Sequence, residues 1–303
     1  MRILVTGASG LLGLNLCLHL AEEHKIFGTY HSRELKKPPF QVAYCDLKNS
    51  QSIEALIDKT KPEFLINCAA MANIDSCESQ PEIAQQINAE MPGSLAVICK
   101  KKGIRLTHIS TDAVFDGKMG DYTEEDLPNP LSVYAQTKLE GEQAVAAEYP
   151  KAIIARVNFY GFSLSGKRSL AEFFLNNLMG NNQVNGFVDV MFCPLYVTDL
   201  VDTLVKMIQK DLTGLYHVVS PESLSKYAFG VKIAEKFGFE KNLIQPRSVT
   251  EGGLQAARSP RLTLNIDKLK SSEITTPGQS ECMEHFHKHY LENLSEKIKA
   301  LSG

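Results

Sequence analysis

Residues 2–13 read Arg2-Ile3-Leu4-Val5-Thr6-Gly7-Ala8-Ser9-Gly10-Leu11-Leu12-Gly13. The apolar run 2–5 has the length and composition of a buried strand, and from Leu11 apolar residues recur at helical spacing through 11–23. Between them lies a glycine turn, so the chain opens as strand, tight turn and helix. Gly7, Gly10 and Gly13 form GxxGxxG, with one more residue between the first two glycines than GxGxxG has. Glycine is needed where backbone turns sharply and where it must come close to a pyrophosphate; a helix N-terminus adds free N–H groups and a positive dipole end. Three glycines alone would fit a plain turn with packing glycines equally well. At the head of an alternating chain they predict a dinucleotide site on Gly7, Ser9, Gly10, Leu11, Leu12 and Gly13.

The alternation continues outward from that turn. Strands are expected at 26–30, 41–44, 64–68, 104–109, 152–157 and 215–219, and helices at 50–60, 81–102, 132–148, 170–179, 198–210 and 227–237. Gly103 is the stop signal of the long helix 81–102. Residues 163–169 read as a loop, 181–186 as a turn-rich break and 283–301 as a polar surface helix. Strands without polar alternation are buried on both faces, which means a parallel sheet built from βαβ units. The predicted fold is α/β: a Rossmann-type doubly wound parallel sheet with a smaller C-terminal α/β substrate-binding region. Residues 1–160 and about 194–219 are assigned to the dinucleotide-binding part, and 161–193 and 220–303 to the substrate region.

Composition narrows the function classes. Lys and Arg total 32 against 35 Asp and Glu, a net charge of −3, which leaves no basic excess for nucleic acid. No run approaches the roughly 20 apolar residues of a membrane helix. Residues 11–20 resemble a signal-peptide core, but Asn15 and His19 interrupt them and Arg2 is the one early basic residue, so a cytoplasmic protein is expected. Seven cysteines without a CxxC pair argue for a reducing compartment and against a disulfide framework or thiolate zinc site. His285, His287 and His289 alternate without acidic or cysteine support, and no metal site is assigned to them.

Cofactor choice turns on the end of the second strand, Thr29-Tyr30-His31-Ser32-Arg33. An acid there would bind the ribose 2′-OH of NAD. None occurs before Glu34, and Ser32 and Arg33, backed by Lys36 and Lys37, suit a 2′-phosphate, although an ordinary solvated basic loop reads the same way. NADP(H) is therefore preferred, with NAD(H) also accommodated. Asp46, followed by Leu47, is placed to meet the adenine amino group or to cap the next helix.

Tyr134 and Lys138 form YxxxK, which on a helix puts phenol and ammonium on one face. A nearby cation would lower the tyrosine pKa and make Tyr134 a proton donor to a carbonyl near neutral pH. Roughly one such match arises by chance in a chain of this length; Tyr44 and Lys48 make a second across a strand end, which is read as that chance match. Ser110 and Thr111 end the fifth strand, on the side where open α/β sheets bind ligands. The Thr111 hydroxyl is expected to bond the substrate oxygen or to satisfy loop backbone.

Together these residues resemble an extended short-chain dehydrogenase/reductase and, within that superfamily, the dTDP-4-dehydrorhamnose reductases. The matching segments run in family order: 6–13, Cys45-Asp46-Leu47, Asn67-Cys68-Ala69-Ala70, Ile74-Asp75-Ser76-Cys77-Glu78, Ile87-Asn88-Ala89, Ser110-Thr111-Asp112-Ala113-Val114-Phe115-Asp116-Gly117 and Tyr134-Ala135-Gln136-Thr137-Lys138-Leu139-Glu140-Gly141-Glu142. Weaker similarity continues through 194–199 and 214–217. The resemblance implies NAD(P)H reduction of a keto carbon on a nucleotide-linked sugar. By it Tyr134 donates the proton, Lys138 holds the nicotinamide ribose and Thr111 positions the substrate oxygen. Cys68, Ala69 and Ala70 line the cofactor, and 156–159, including Val157, borders the nicotinamide. Asp112, Ala113, Asn158 and Arg258 fall to the substrate side.

Two departures lie where the sugar should sit. Ala113 replaces the reductases' usual aromatic, and the chain has no Trp, its 156–161 loop being one residue shorter than their pattern. A cofactor-binding regulatory subunit resembling the methionine adenosyltransferase beta subunit is the alternative from another class, and a relative acting on a different sugar nucleotide a second. Retention of Thr111, Tyr134 and Lys138 together favours the enzyme. A nucleotide sugar is the expected partner, with neither nucleic acid nor membrane; 173–178 is read as helix core or a homodimer contact.

Overall fold

The computed structural model describes residues 1–251 and 260–302. Seven parallel strands form its central sheet: β1 Arg2–Thr6, β2 Lys25–Tyr30, β3 Gln41–Tyr44, β4 Phe64–Asn67, β5 Arg105–Thr111, β6 Ile153–Val157 and β7 Gly214–Val218. Their spatial order is β7-β6-β5-β4-β1-β2-β3, with every pairing parallel. That is the doubly wound order, and it reverses direction between β1 and β4, where a cleft opens at the strands' carboxyl ends.

Both faces are covered, as unalternated strands require. Ile3 and Val5 enter a core shared with helix α1 (Leu11–Leu20) and the helix Val197–Gln209; Leu4, between them, enters the opposite core with Ile53, Leu95 and Val145. A period of two thus puts neighbouring side chains into different apolar layers. On the second face the helix Met91–Lys102 packs against the helix Val133–Glu148.

The long helix predicted over 81–102 is interrupted. Pro81–Gln85 is α-helical, Gln86–Glu90 is a single π-turn, and Met91–Lys102 resumes the α-helix, ending at Gly103 in the left-handed region (φ 67°). The predicted tail helix over 283–301 is two helices, Gln279–Leu291 and Leu294–Ala300, broken at Asn293, whose φ of 60° no helix continues through. The break expected at 181–186 contains a strand, Val184–Phe187, paired in parallel with Ile244–Arg247. These short strands and the helices Leu170–Met179, Lys226–Phe237 and Gln279–Leu291 surround an aromatic cluster. In it Phe162 stacks on Phe286 at 4.7 Å and Tyr160 meets Phe229 edge-on at 4.9 Å. Among the described residues no helix is long and apolar enough to cross a membrane.

Candidate active site

The glycine turn is built for close approach. Gly7 has φ 70°, and a Cβ there would lie 2.9 Å from the backbone of Ala69, just beyond β4. A Cβ on Gly13 would lie 2.3 Å from the Gly7 carbonyl oxygen, so Gly13 lets α1 sit down on the turn. Gly10 caps α1 with no side-chain hydrogen bond, and the first turn carries no acid. Its N–H groups therefore face the cleft unneutralised, as a pyrophosphate site requires.

From this turn the cleft runs two ways. One arm, about 770 Å³, passes Ser9, Cys68 and Ala70 to reach Ser32, Arg33, Asp46 and Leu47. Arg33 is exposed there, as are Lys36 and Lys37 beyond it. Lys36 N–H bonds the Leu301 carbonyl, tying that loop to the last helix, and Lys48 lines the arm. Asp46 is not the helix cap: its Oδ1 accepts from Lys48 N–H at 3.0 Å, while Asn49 caps the helix Ser50–Thr60. The Cys68 thiol is pushed up to about 12 by burial and is no nucleophile.

The other arm, about 450 Å³, lies between Leu12, Ala70, Ser110, Tyr134, Lys138 and Phe159. Ser132 caps the helix Val133–Glu148 by accepting from Ala135 N–H, which places Tyr134 in its first turn and Lys138 one turn on. Gly141, three residues further, has Asn88 O of the π-turn where a Cβ would sit, at 2.1 Å. Asn88 also grips the cleft wall, accepting from Met71 N–H (2.8 Å) and donating to Met71 O (3.0 Å) and Thr137 Oγ1 (3.1 Å).

The electrostatics differ from the sequence expectation. Burial pushes the Tyr134 phenol up to about 12, outweighing a side-chain hydrogen bond with Thr111 that acts the other way. Lys138 does not counter this: it is 2% exposed, and its Nζ donates to Ile109 O at 2.6 Å. Desolvation in turn holds the Lys138 ammonium down to about 8. Thr111 satisfies loop backbone, its Oγ1 accepting from Ala113 N–H at 3.2 Å, and it also hydrogen-bonds Tyr134.

The residues assigned to the substrate side divide. Asp112 is 4% exposed; its Oδ2 accepts from Asn158 Nδ2 at 2.5 Å and its Oδ1 from Thr111 at 3.1 Å. These two residues therefore bond each other inside the protein. Val157 is buried at the carboxyl end of β6, paired with Thr111 and Val218, and Phe159 is the residue of that segment that lines the cleft. Arg156 is buried too, in an ion pair with Glu142 at 2.7 Å. Arg258 lies outside the described residues. His285 and His289 separate, bonding Asp199 (2.6 Å) and Tyr196 (2.8 Å) respectively. Phe174, Leu175 and Leu178 are core, leaving Phe173 exposed.

Sequence reasoning missed Lys167 and Arg168, which line the second arm, Arg168 bordering the first as well. The buried Glu172 carboxylate holds their loop, accepting from Ser163 N–H (2.6 Å), Arg168 N–H (2.8 Å) and Ser169 N–H (3.0 Å). The signal was present: Ser169-x-x-Glu172 is a capping box directly after two cations.

A family model, the RmlD substrate binding domain, matches residues 1–291. A probable low-salt glycan biosynthesis reductase, Agl14, of Haloferax volcanii is 34% identical over 89% of this chain and 91% of its own. The methionine adenosyltransferase 2 subunit beta of Xenopus tropicalis is 32% identical over 81% of this chain and 75% of its own. Among solved structures, dTDP-4-dehydrorhamnose reductase from Bacillus anthracis, in complex with NADP, superposes with a TM-score of 0.82 at 27% identity, covering 96% of this chain and 99% of that one.

Proposed function

The chain belongs to the RmlD substrate-binding-domain family, and from that footing we propose that it is an NADP(H)-preferring reductase of a nucleotide-linked 4-keto-6-deoxy sugar, with NAD(H) as the lesser cofactor. The observation that carries this reading is the meeting of Tyr134 and Lys138 on the cleft arm that begins at the glycine turn, with Thr111 hydrogen-bonded to Tyr134. The bare α1 N-terminus and the Gly7 cradle fit a pyrophosphate, and Arg33 fits a 2′-phosphate. The solved relative from Bacillus anthracis holds NADP.

When bound, the cofactor supplies a hydride to the keto carbon. Tyr134 supplies the proton: as the carbonyl becomes an alcohol, its oxygen takes H⁺ from the phenol. A phenol held near 12 is fully protonated at neutral pH, the form a proton donor needs. Thr111 orients the carbonyl oxygen, and the Lys138 ammonium holds the nicotinamide ribose. Lys167 and Arg168 stand where phosphates of either ligand pass. The protein is proposed to work in the cytoplasm, where its seven free thiols would stay reduced, and to assemble as a homodimer, a point light scattering decides.

The test mixes the protein with NADPH, or NADH in parallel, and dTDP-4-dehydro-6-deoxy-L-mannose, and follows the reduced-nicotinamide absorbance. Loss of signal faster with NADPH, falling by about 10²–10⁴-fold in Tyr134→Phe with NADPH binding retained, is expected. Tight NADPH binding without turnover of this or other keto sugars would instead support the regulatory-subunit reading suggested by the likeness to methionine adenosyltransferase 2 subunit beta.

A further inference from the structure

Beneath the second arm lies a buried polar row that the proposed chemistry leaves unused. Thr6 and Asn67, at the carboxyl ends of β1 and β4, and His108, in the middle of β5, are register partners, and Lys138 reaches the last of them from its helix. All four are buried, His108 completely. Thr6 Oγ1 lies 2.6 Å from Asn67 Oδ1, Asn67 Nδ2 3.0 Å from His108 Nδ1, and His108 Nε2 3.5 Å from Lys138 Nζ.

Hydrogen counting along the row allows two arrangements. A neutral imidazole has one donor and one acceptor. With Asn67 as placed, its amide donates to His108 Nδ1, so Nε2 carries the proton and points it at Lys138. That suits a neutral amine, whose lone pair accepts, and not an ammonium. Turning the Asn67 amide over, a nearly isosteric change, reverses every bond. Asn67 Nδ2 then donates to Thr6 Oγ1, His108 Nδ1–H donates to Asn67 Oδ1, and Nε2 accepts from the ammonium. In that state two of the three Lys138 protons are held, by Ile109 O and His108, and the third is left for the cleft.

We propose that His108 is a positioning residue whose tautomer is tied to the charge on Lys138, so that the row Thr6–Asn67–His108 decides whether an aimed ammonium or a neutral amine faces the cleft. Burial holds His108 well below its usual range, so it stays neutral and responds by tautomer alone. Lys138, brought down to about 8, changes charge within reach of ordinary buffers. Of the other groups near Lys138, the Glu142 carboxylate, itself held by Arg156 and Ser110, favours its cation, whereas the Cys68 thiol, pushed up to about 12 by burial, stays protonated and adds no charge. The consequence for turnover rests on the reductase reading; the coupling does not.

Nitrogen NMR on the full ligand-free chain, with ¹⁵N-labelled histidine and ¹³C-labelled lysine, tests it from about pH 6 to about pH 10. His108 is assigned through bonds to its own backbone. At the acid end the Nδ1–H tautomer is expected. The Nε2–H tautomer should grow in with the midpoint at which the Lys138 ε-carbon titrates, and the acid-end tautomer should be lost in Lys138→Met. A tautomer constant across the range, a His108 midpoint apart from that of Lys138, or an imidazolium signal would overturn the proposal. Since neither cofactor nor substrate is present, a failed reductase assay leaves this result standing, and a failed titration leaves the reductase reading standing.

Discussion

At the scale of single residues, identity was legible in the sequence and environment was not. Thr111, Tyr134 and Lys138 are legible by type and place, but the expected depression of the Tyr134 pKa is reversed because burial penalises the phenolate more than the Thr111 hydrogen bond favours it, while Lys138 donates to Ile109 O. Such a balance depends on burial, which a motif does not encode. Asp112 shows the same thing with a measurable consequence. Burial raises its carboxyl from 3.8 to about 6, against the pull of Asn158, Thr111 and Lys226. A carboxyl raised on folding favours the native state while protonated, and that contribution is lost as pH climbs through about 6. Asp112→Asn, neutral at every pH, removes the dependence. Relative to wild type, the variant should gain on the order of 2–3 kcal/mol between about pH 4 and about pH 7. Urea unfolding at a series of pH values reads this directly, and a difference that stays flat with pH would refute the buried, ionising Asp112.

At the scale of elements, long periodic segments were legible and short or interrupted ones were not. The helix Ser50–Thr60 and the strand Gln41–Tyr44 stand where the apolar pattern put them. Pairs such as Leu195–Tyr196 with Phe159–Tyr160 are too short to carry a period. The π-turn Gln86–Glu90 is also silent in sequence, because it is made by packing: the widened turn brings the Asn88 carbonyl against Gly141 while its side chain grips Met71 and Thr137. π-Bulges of this kind gather at functional sites, and here one helix is fitted to the helix that carries Tyr134 and Lys138. Gly141→Ala forces a methyl into a 2.1 Å gap and should cost about 1–3 kcal/mol by overpacking. Calorimetry should show a lowered Tm. An unchanged Tm would mean that the two helices can slide apart freely, and that the glycine in the Tyr134–Glu142 segment has no packing role.

At the scale of the whole molecule, the sheet order followed from the alternation of strands and helices, but what joins the sheet to the later chain did not. That junction is a buried polar network. Glu142, on the helix of Tyr134, pairs with Arg156 of β6 at 2.7 Å and accepts from Ser110 of β5 at 2.5 Å. Arg156 lies 4.9 Å from the Phe115 ring and reaches His217 Nε2 of β7 at 3.5 Å, and His217 Nδ1 bonds Asn265 O at 3.1 Å. A resemblance that set Arg156 beside the nicotinamide had no means of seeing that its partner stood 14 residues upstream, on the catalytic helix. Removing one ion leaves the other buried and uncompensated, which typically costs 3–5 kcal/mol, roughly, whereas replacing both by apolar groups is often neutral. Arg156→Met should therefore destabilise strongly, Glu142→Leu likewise, and the double variant should recover most of the loss in a double-mutant cycle. If the pair only braces the fold, the recovered double variant keeps its cofactor affinity and turnover. If it also holds the helix of Tyr134 and Lys138 against Ser110, stability returns while turnover stays low. The buried hydrogen bond from Ser110 to the same Glu142 carboxylate favours the second outcome, because the apolar replacement cannot restore it.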